Sequence, residues 1–353
     1  MTVRLNQVLY MLIAVLVALV FTSFVLVLAG ASPVAAYWYI LKGSLGSWTK
    51  ITDVMVAWVP LLLATAGLLV TFAAGLWNIG IEGQIVLGGI FTTWVLRLLQ
   101  HSTMTPALAI LLAIAAGAIG GALWSALAGL LKVYGGVNEI FGGLGLDFVA
   151  VALTLWLIFG PWKRPGIGSM SGTEPFPEKL WLPTLGHTRL SLWALLIGLV
   201  SAAIVYFLLS GTYFGLKLKA VGKNPRAAHL LGIPTTRYMM SAFLLSGFFA
   251  GLAGAVQVTA VYHRLIPAIS SGYGWLGLMV SMLINFQPLW AAPVTFFFAL
   301  LNIGSIQLPI MLKLDSSLSG VLQGALVLSF LLVGGARQRR MAQRQQAEEA
   351  RHE

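Results

Sequence analysis

Three acids stand inside or beside strongly apolar runs: Glu82, Glu139 and Asp147. A charge at the bilayer centre costs roughly 2.5–3.5 kcal/mol on insertion scales, so such acids face protein or a water-filled cavity. Glu82 lies in WNIGIEGQIVLGG, with Asn78, Gly80, Gly83 and Gln84 around it. The glycines let the backbone leave a helix and come close to a ligand, and irregular backbone is tolerated in a membrane only beside a cavity or protein. Two readings follow for Glu82. It lines the passage of a polar solute through a broken helix, or it is the favourable acid of a helix N-terminus. Asn138 and Glu139 open another apolar segment, where a cap is the ordinary reading and a passage or gate the functional one. Asn285, Gln287, Asn302 and Gln307 add amides that suit either a neutral polar solute or helix–helix hydrogen bonds. His101, His187, His229 and His263 show no ligand spacing, so no metal site is expected. The sequence holds no phosphate-binding Gly-x-x-x-x-Gly-Lys-Ser/Thr loop, no nucleophile elbow and no His-Glu-x-x-His. It is read as a chain without catalytic or ATP-binding chemistry of its own.

A second feature is the basic stretch 212–237. Lys217, Lys219, Lys223, Arg226 and Arg237 stand there without one acid. Asn224 suits a helix cap and Pro225 the first helical position. Arg226-Ala-Ala-His-Leu-Leu continues the helix, Gly232 suits its C-terminal end and Pro234 stops it. A short helix between two spans is a docking device for a cleft on a soluble partner. The plainer reading is a basic loop that fixes orientation and touches lipid headgroups.

The rest of the chain must hold these residues in a membrane. Of 353 residues 59% are hydrophobic and 9% charged, with a mean hydropathy of +0.91. The net charge of +11 arises from few acids, 10 against 21 bases, and the bases cluster in loops and tail. Orientation against an anionic membrane surface explains this better than nucleic acid. The absence of cysteine excludes disulfides. We expect an all-α integral membrane protein, a polytopic bundle of about ten transmembrane helices with broken or re-entrant segments. The expected spans are 8–30, 54–76, 84–99, 104–131, 141–159, 190–209, 239–260, 275–286, 289–306 and 318–333. The first is too long for a signal-peptide core, although cleavage sites could be read at Ala31 or Ala36. The stretch 35–50 is expected as an external interfacial segment, and 275–286 is short for an upright span. Gly117, Gly120 and Gly121, and later Gly247, Gly251 and Gly254, are expected at close helix contacts. Residues 1–336 form the membrane domain and 337–353 a basic, polar tail. Counting crossings from an inside N-terminus leaves Lys132, 212–237 and the tail inside, with 161–189 outside.

Several of these stretches resemble one family in its own order. AVGKNPRAAHLLGI looks like the cytoplasmic coupling-helix segment of ABC importer permeases, in the branch that handles nucleosides and simple sugars (the branched-chain amino acid and ribose type). WNIGIEGQ resembles that family's Asn-Ile-Gly-x-Glu-Gly-Gln signature, with Trp77 where Phe is more usual. Gly136-Val-Asn-Glu-Ile140 resembles its Val-Asn-Glu motif, and Ser270–Gly274 its Gly-Tyr-Gly turn. The family typically continues with Met-Leu-Asn-Tyr, where this chain has Gly145-Leu-Asp147-Phe, so Asp147 replaces an amide. The resemblance runs from about 61 to 335. It implies a permease subunit in a bacterial or archaeal plasma membrane, with both termini cytoplasmic. It also implies a second permease, identical or different, two ATPase subunits that use the ATP, and an external substrate-binding protein. Asn78, Glu82, Gln84, Asn138, Glu139 and Asp147 become passage or gate candidates. Asn224, Pro225, Arg226, Ala228, His229, Gly232 and Ile233 become coupling candidates. Nucleosides are the preferred cargo and simple sugars the second. An ion-coupled transporter using Glu82, Glu139 or Asp147 for protons is the rival class, and a membrane-embedded enzyme lacks any convergent catalytic set.

Overall fold

A computed structural model of the chain describes residues 16–17, 19–166, 172–315, 320–325, 327–329 and 332. Among these residues every regular element is a helix. The chain divides into two compact units, one drawn from 1–51 and 300–353, the other from 52–299.

In the first unit α1 (Leu19–Leu28) and α2 (Pro33–Leu45) meet at a bend of 108°. Pro33 occupies the first turn of α2, where its missing N–H costs nothing. The aromatic stretch 35–50, expected as an interfacial segment, is therefore largely helical, and Tyr37 uses its hydroxyl on Thr22 at 2.6 Å. A helix late in the chain, α13 (Gln307–Leu312), packs on α2, and Leu26, Ala36, Ile40, Leu308 and Leu322 form the unit's core. Residues 8–15 and 18 of the first expected span, six of the sixteen residues of the last one and the tail 337–353 lie outside the described residues.

The second unit holds α3 (from Trp48 to Ala73, its first turn in the other unit), α4 (Ile81–Leu99), α5 (Pro106–Val133), α6 (Glu139–Phe159), α7 (Leu192–Gly211), α8 (Tyr213–Lys223), α9 (Pro225–Leu230), α10 (Thr235–Val256), α11 (Tyr273–Leu283) and most of α12 (Ala291–Ser305). Its centre is the mutual packing of α4, α5 and α10. The expected glycines make that contact. A methyl at Gly121 would meet the Gly247 carbonyl, one at Gly251 the Gly117 carbonyl, and one at Gly254 the Ile85 carbonyl. Backbone approaches of this kind are the usual result of small residues at membrane helix interfaces. Ser125 reinforces them by donating to the Phe243 carbonyl at 2.6 Å.

Six helices of the described residues are long and apolar enough to cross a membrane, and the bent α1–α2 pair would make a seventh. The shortfall against ten has local causes. The expected span 275–286 is the 11-residue α11. The expected span 84–99 is α4, a 19-residue helix that carries Glu82, Gln84 and Arg97 and is not among the six. The apolar faces of α6 and α7 are mostly exposed and form an outer shell.

Two segments position the site. The basic stretch opens with a helix, α8, where its lysines predict a solvated loop. In α8 the Thr212 hydroxyl accepts from Gly215 N–H, and Gly215, Leu218 and Val221 are buried along one face, with the lysines elsewhere. Beyond α10 the chain continues through a π-helical turn, Gln257–Tyr262, to a left-handed His263 at φ 54°. The connection before α7 straps onto that turn. Thr173 N–H donates to Leu265 O, Phe176 N–H to His263 O and Leu182 N–H to Thr259 O, all at 2.9–3.0 Å. Trp181 stacks on His263 with centroids 3.8 Å apart.

Candidate functional site

The glycine-rich signature forms the turn between α3 and α4. Gly75 adopts φ +72°, a conformation open to glycine, and the chain runs irregularly to Gly80 before α4 begins. Asn78 and Gln84 close this turn with a reciprocal amide pair. Asn78 Nδ2 donates to Gln84 Oε1 at 3.0 Å and Gln84 Nε2 to Asn78 Oδ1 at 2.8 Å. Asn78 also donates to the Ser246 hydroxyl of α10 at 2.8 Å. Both side chains are 1% exposed, so their polar atoms are spent on protein.

Glu82 lies in the first turn of α4 and also serves another helix. Its Oε2 accepts the Gly274 N–H at 2.7 Å, at the start of α11. Ser270 and the backbone of Gly272 and Trp275 surround the same carboxylate. First-turn amides of a helix have no partner within it, and a negative charge there is favoured by the helix dipole. Glu82 is thus a cap supplied from 192 residues away.

The second acid motif meets the same turn. Glu139, Gly143 and Asp147 recur at every fourth position of α6 and lie on one face. The Glu139 carboxylate pairs with Lys132 at 2.6 Å and meets the backbone of Trp77. A methyl on Gly143 would sit 2.6 Å from Gly80 N. Asp147 Oδ1 accepts the Gly83 N–H at 2.7 Å, a free first-turn amide of α4. Its Oδ2, and Trp124 Nε1 of α5, are buried without a hydrogen-bond partner among the described residues. Both side chains crowd Gly83: a methyl there would lie 2.7 Å from Asp147 Oδ1 and 3.1 Å from Trp124 Nε1. Asn138 stands apart as the α6 cap, its side chain accepting from Ile140 N–H at 2.9 Å.

The coupling candidates form α9. Asn224 Oδ1 accepts the Ala227 N–H at 3.0 Å, Pro225 takes the first turn, and Gly232 at φ +79° ends the helix. Ile233 N–H donates to Ala228 O at 3.0 Å. Arg226 and His229 face outward, whereas Ala228 is 3% exposed and faces the body of the protein. Leu230 and Leu231, 87% and 80% exposed, present apolar surface that the sequence reading did not single out.

Residues 50–331 match the family model described as the permease component of the branched-chain amino acid transport system. The chain belongs to this family of ABC importer permeases. It is similar to the glucose ABC transporter permease protein TsgB13 of Haloferax volcanii, 31% identical over 331 residues, covering 91% of this chain and 86% of that one. The guanosine ABC transporter permease protein NupP of Bacillus subtilis is 26% identical over 317 residues, covering 88% and 89%. The nucleoside ABC transporter permease protein NupC of Lactococcus lactis is 30% identical over 258 residues, covering 71% and 80%. The permease is a multi-pass membrane protein.

In this permease Asn78, Glu82, Gln84 and Asp147 come together around the α4 N-terminus, Glu139 borders them and Asn138 does not join. Ser246, Trp124 and the Gly274 amide belong to the same cluster; Ser246 and Trp124 carry no sequence signal, and the Gly-Tyr-Gly resemblance marks Gly274 as a turn without indicating its partner. Gln257 was missed as well. From the π-turn it donates to Ile269 O at 3.1 Å and to the Ser271 hydroxyl at 3.2 Å, steadying the chain that leads into α11. Within the cluster two helix-start amides, Gly83 and Gly274, are each met by a carboxylate from another helix.

Proposed function

We propose that this permease forms the membrane passage of an ATP-driven importer for neutral, hydroxyl-bearing ring compounds, with nucleosides the first cargo to test. A separate ATPase subunit docks on α9 from the cytoplasm, a second permease completes the passage, and an external binding protein delivers the solute. Both termini lie on the cytoplasmic side in this reading. The observation that carries it is the outward face of α9. A six-residue helix, capped at both ends and anchored through Ala228, holds Leu230 and Leu231 in the open beside Arg226 and His229. Leucines that exposed suit a cleft on a partner. The acids support the same reading against ion coupling: Glu82, Glu139 and Asp147 each accept from a partner within the protein.

The second cargo reading is a simple sugar, favoured by the 31% identity to the glucose transporter permease over nine-tenths of the chain. Uptake of labelled guanosine and labelled glucose into cells expressing the full system decides between them. Guanosine uptake that persists with an ionophore and stops when ATP is depleted is expected. Uptake of glucose alone transfers the reading to sugars, and uptake that collapses with the ionophore while ATP is maintained overturns the ATP-driven mechanism.

A further inference from the structure

The helix before α9 touches the signature turn. Gly222, in the last turn of α8, faces the end of α3. A methyl there would overlap the Ala73 carbonyl and lie 2.8 Å from Gly75 N. From the other side, a methyl on Gly75 would lie 2.8 Å from the Gly222 carbonyl and 3.1 Å from its Cα. Two backbones therefore meet with no side chain between them. The neighbours of Gly222 on α8, Leu218 and Val221, are fully buried, so α8 cannot shift without moving what it rests on. Beyond the contact the turn is stiff. Asn78 and Gln84 lock it to themselves and to α10. Glu82, two residues past Gly80, holds the first turn of α11.

We infer that Gly222 and Gly75 form the joint through which movement of α9 reaches α11: α8 pushes the α3–α4 turn, and Glu82 carries the displacement to the α11 N-terminus. Interiors packed to this density pass displacement on because they have no slack to absorb it. The inference rests on the docking of an ATPase at α9 proposed above, and names the residues that would relay it. Gly222 and Gly75 are positioning residues in this scheme, touching neither solute nor ATPase.

The permease contains no cysteine, so Ser271→Cys, a near-isosteric change at an exposed position beside α11, introduces a single thiol to label, and every comparison is made within that background. The assay is the rate of labelling by a water-soluble maleimide in the assembled complex, with and without vanadate trapping of Mg-ATP. Trapping is expected to change the rate in the parent. In Gly222→Ala the ATPase stays bound but the trapping-dependent change is lost. Should Gly222→Ala fail to assemble, Val221→Ala, which loosens the seat of α8 instead of wedging it, gives the same loss. A change in labelling that survives both substitutions overturns the joint, as does a parent in which trapping leaves position 271 unaffected. The docking reading is tested separately by the Leu230→Asp, Leu231→Asp double variant. If that variant retains its ATPase, docking at α9 fails, an outcome distinct from an intact complex that no longer signals.

Discussion

The Glu82 carboxylate and the Gly274 amide are worth more together than a solvated hydrogen bond, because the amide would otherwise be buried without a partner and the carboxylate would lose one of the donors gathered around it. Removing one partner of a buried pair costs about 1–3 kcal/mol, while a neutral acceptor of the same shape keeps much of it. Glu82→Ala is therefore expected to lower the resistance of the purified permease to detergent-induced unfolding by that amount, and Glu82→Gln by less. The Asn78–Gln84 pair makes a different prediction. Its two hydrogen bonds are reciprocal, so Asn78→Ala strands the Gln84 amide and Gln84→Ala leaves Asn78 Oδ1 without its donor. The double change should cost less than the two singles added, with a coupling of about 0.5–3 kcal/mol in an unfolding cycle. The residue types were legible in the sequence, and so was the helix-start position of Glu82. Their partners were not. Ser246 lies 168 residues from Asn78, and no spacing rule reaches across helices that far apart in the chain.

At the scale of elements, α9 could be read from local chemistry alone: Asn224, Pro225 and Gly232 act within one short helix. The preceding α8 is masked in the sequence by its lysines, which are equally the mark of a solvated loop. The buried Gly215, Leu218 and Val221, three residues apart each time, were the available signal. The strap over the α10 end carries its own prediction. Burial holds the His263 imidazole below its ordinary value, the Thr259 backbone opposes this, and the nearby Arg189 adds to the lowering. A released His263 takes a proton near pH 6.5, more readily than the packed one. The strap thus keeps its stability above that value and loses it as pH falls through 6.5 towards the packed value. Lowering the pH from about 7.5 to about 5 should reduce the hydrogen-exchange protection of the Phe176 and Leu182 amides, measured against their intrinsic exchange rates at each pH. His263→Asn, which tolerates the left-handed backbone, should remove that pH dependence.

The whole molecule was legible as a membrane bundle because composition alone demands an apolar solvent. Its span count was less so, since α11 is only 11 residues long and α4 carries Glu82, Gln84 and Arg97 along an otherwise apolar helix. The outer shell gives a contrast to test. Phe148, 75% exposed on α6, should face hydrocarbon, whereas Leu230 on α9 should not. Phe148→Arg is expected to reduce membrane insertion, in line with a cost of roughly 2.5–3.5 kcal/mol. Leu230→Arg should leave the inserted yield unchanged, as read by alkali extraction of membranes.

The distance along the chain between a cap and the helix it serves also sets a timetable for biosynthesis. Glu82 leaves the ribosome 192 residues before the amide that will receive it. At roughly 5–20 residues per second that is a wait of about 10 to 40 s. Through that interval α4 has an acid and no partner for it, and Asp147, arriving sooner, engages only the neighbouring amide. Stable lodging of α4 in the bilayer therefore belongs late in assembly, after α11 has emerged, whatever its place in the order of translation.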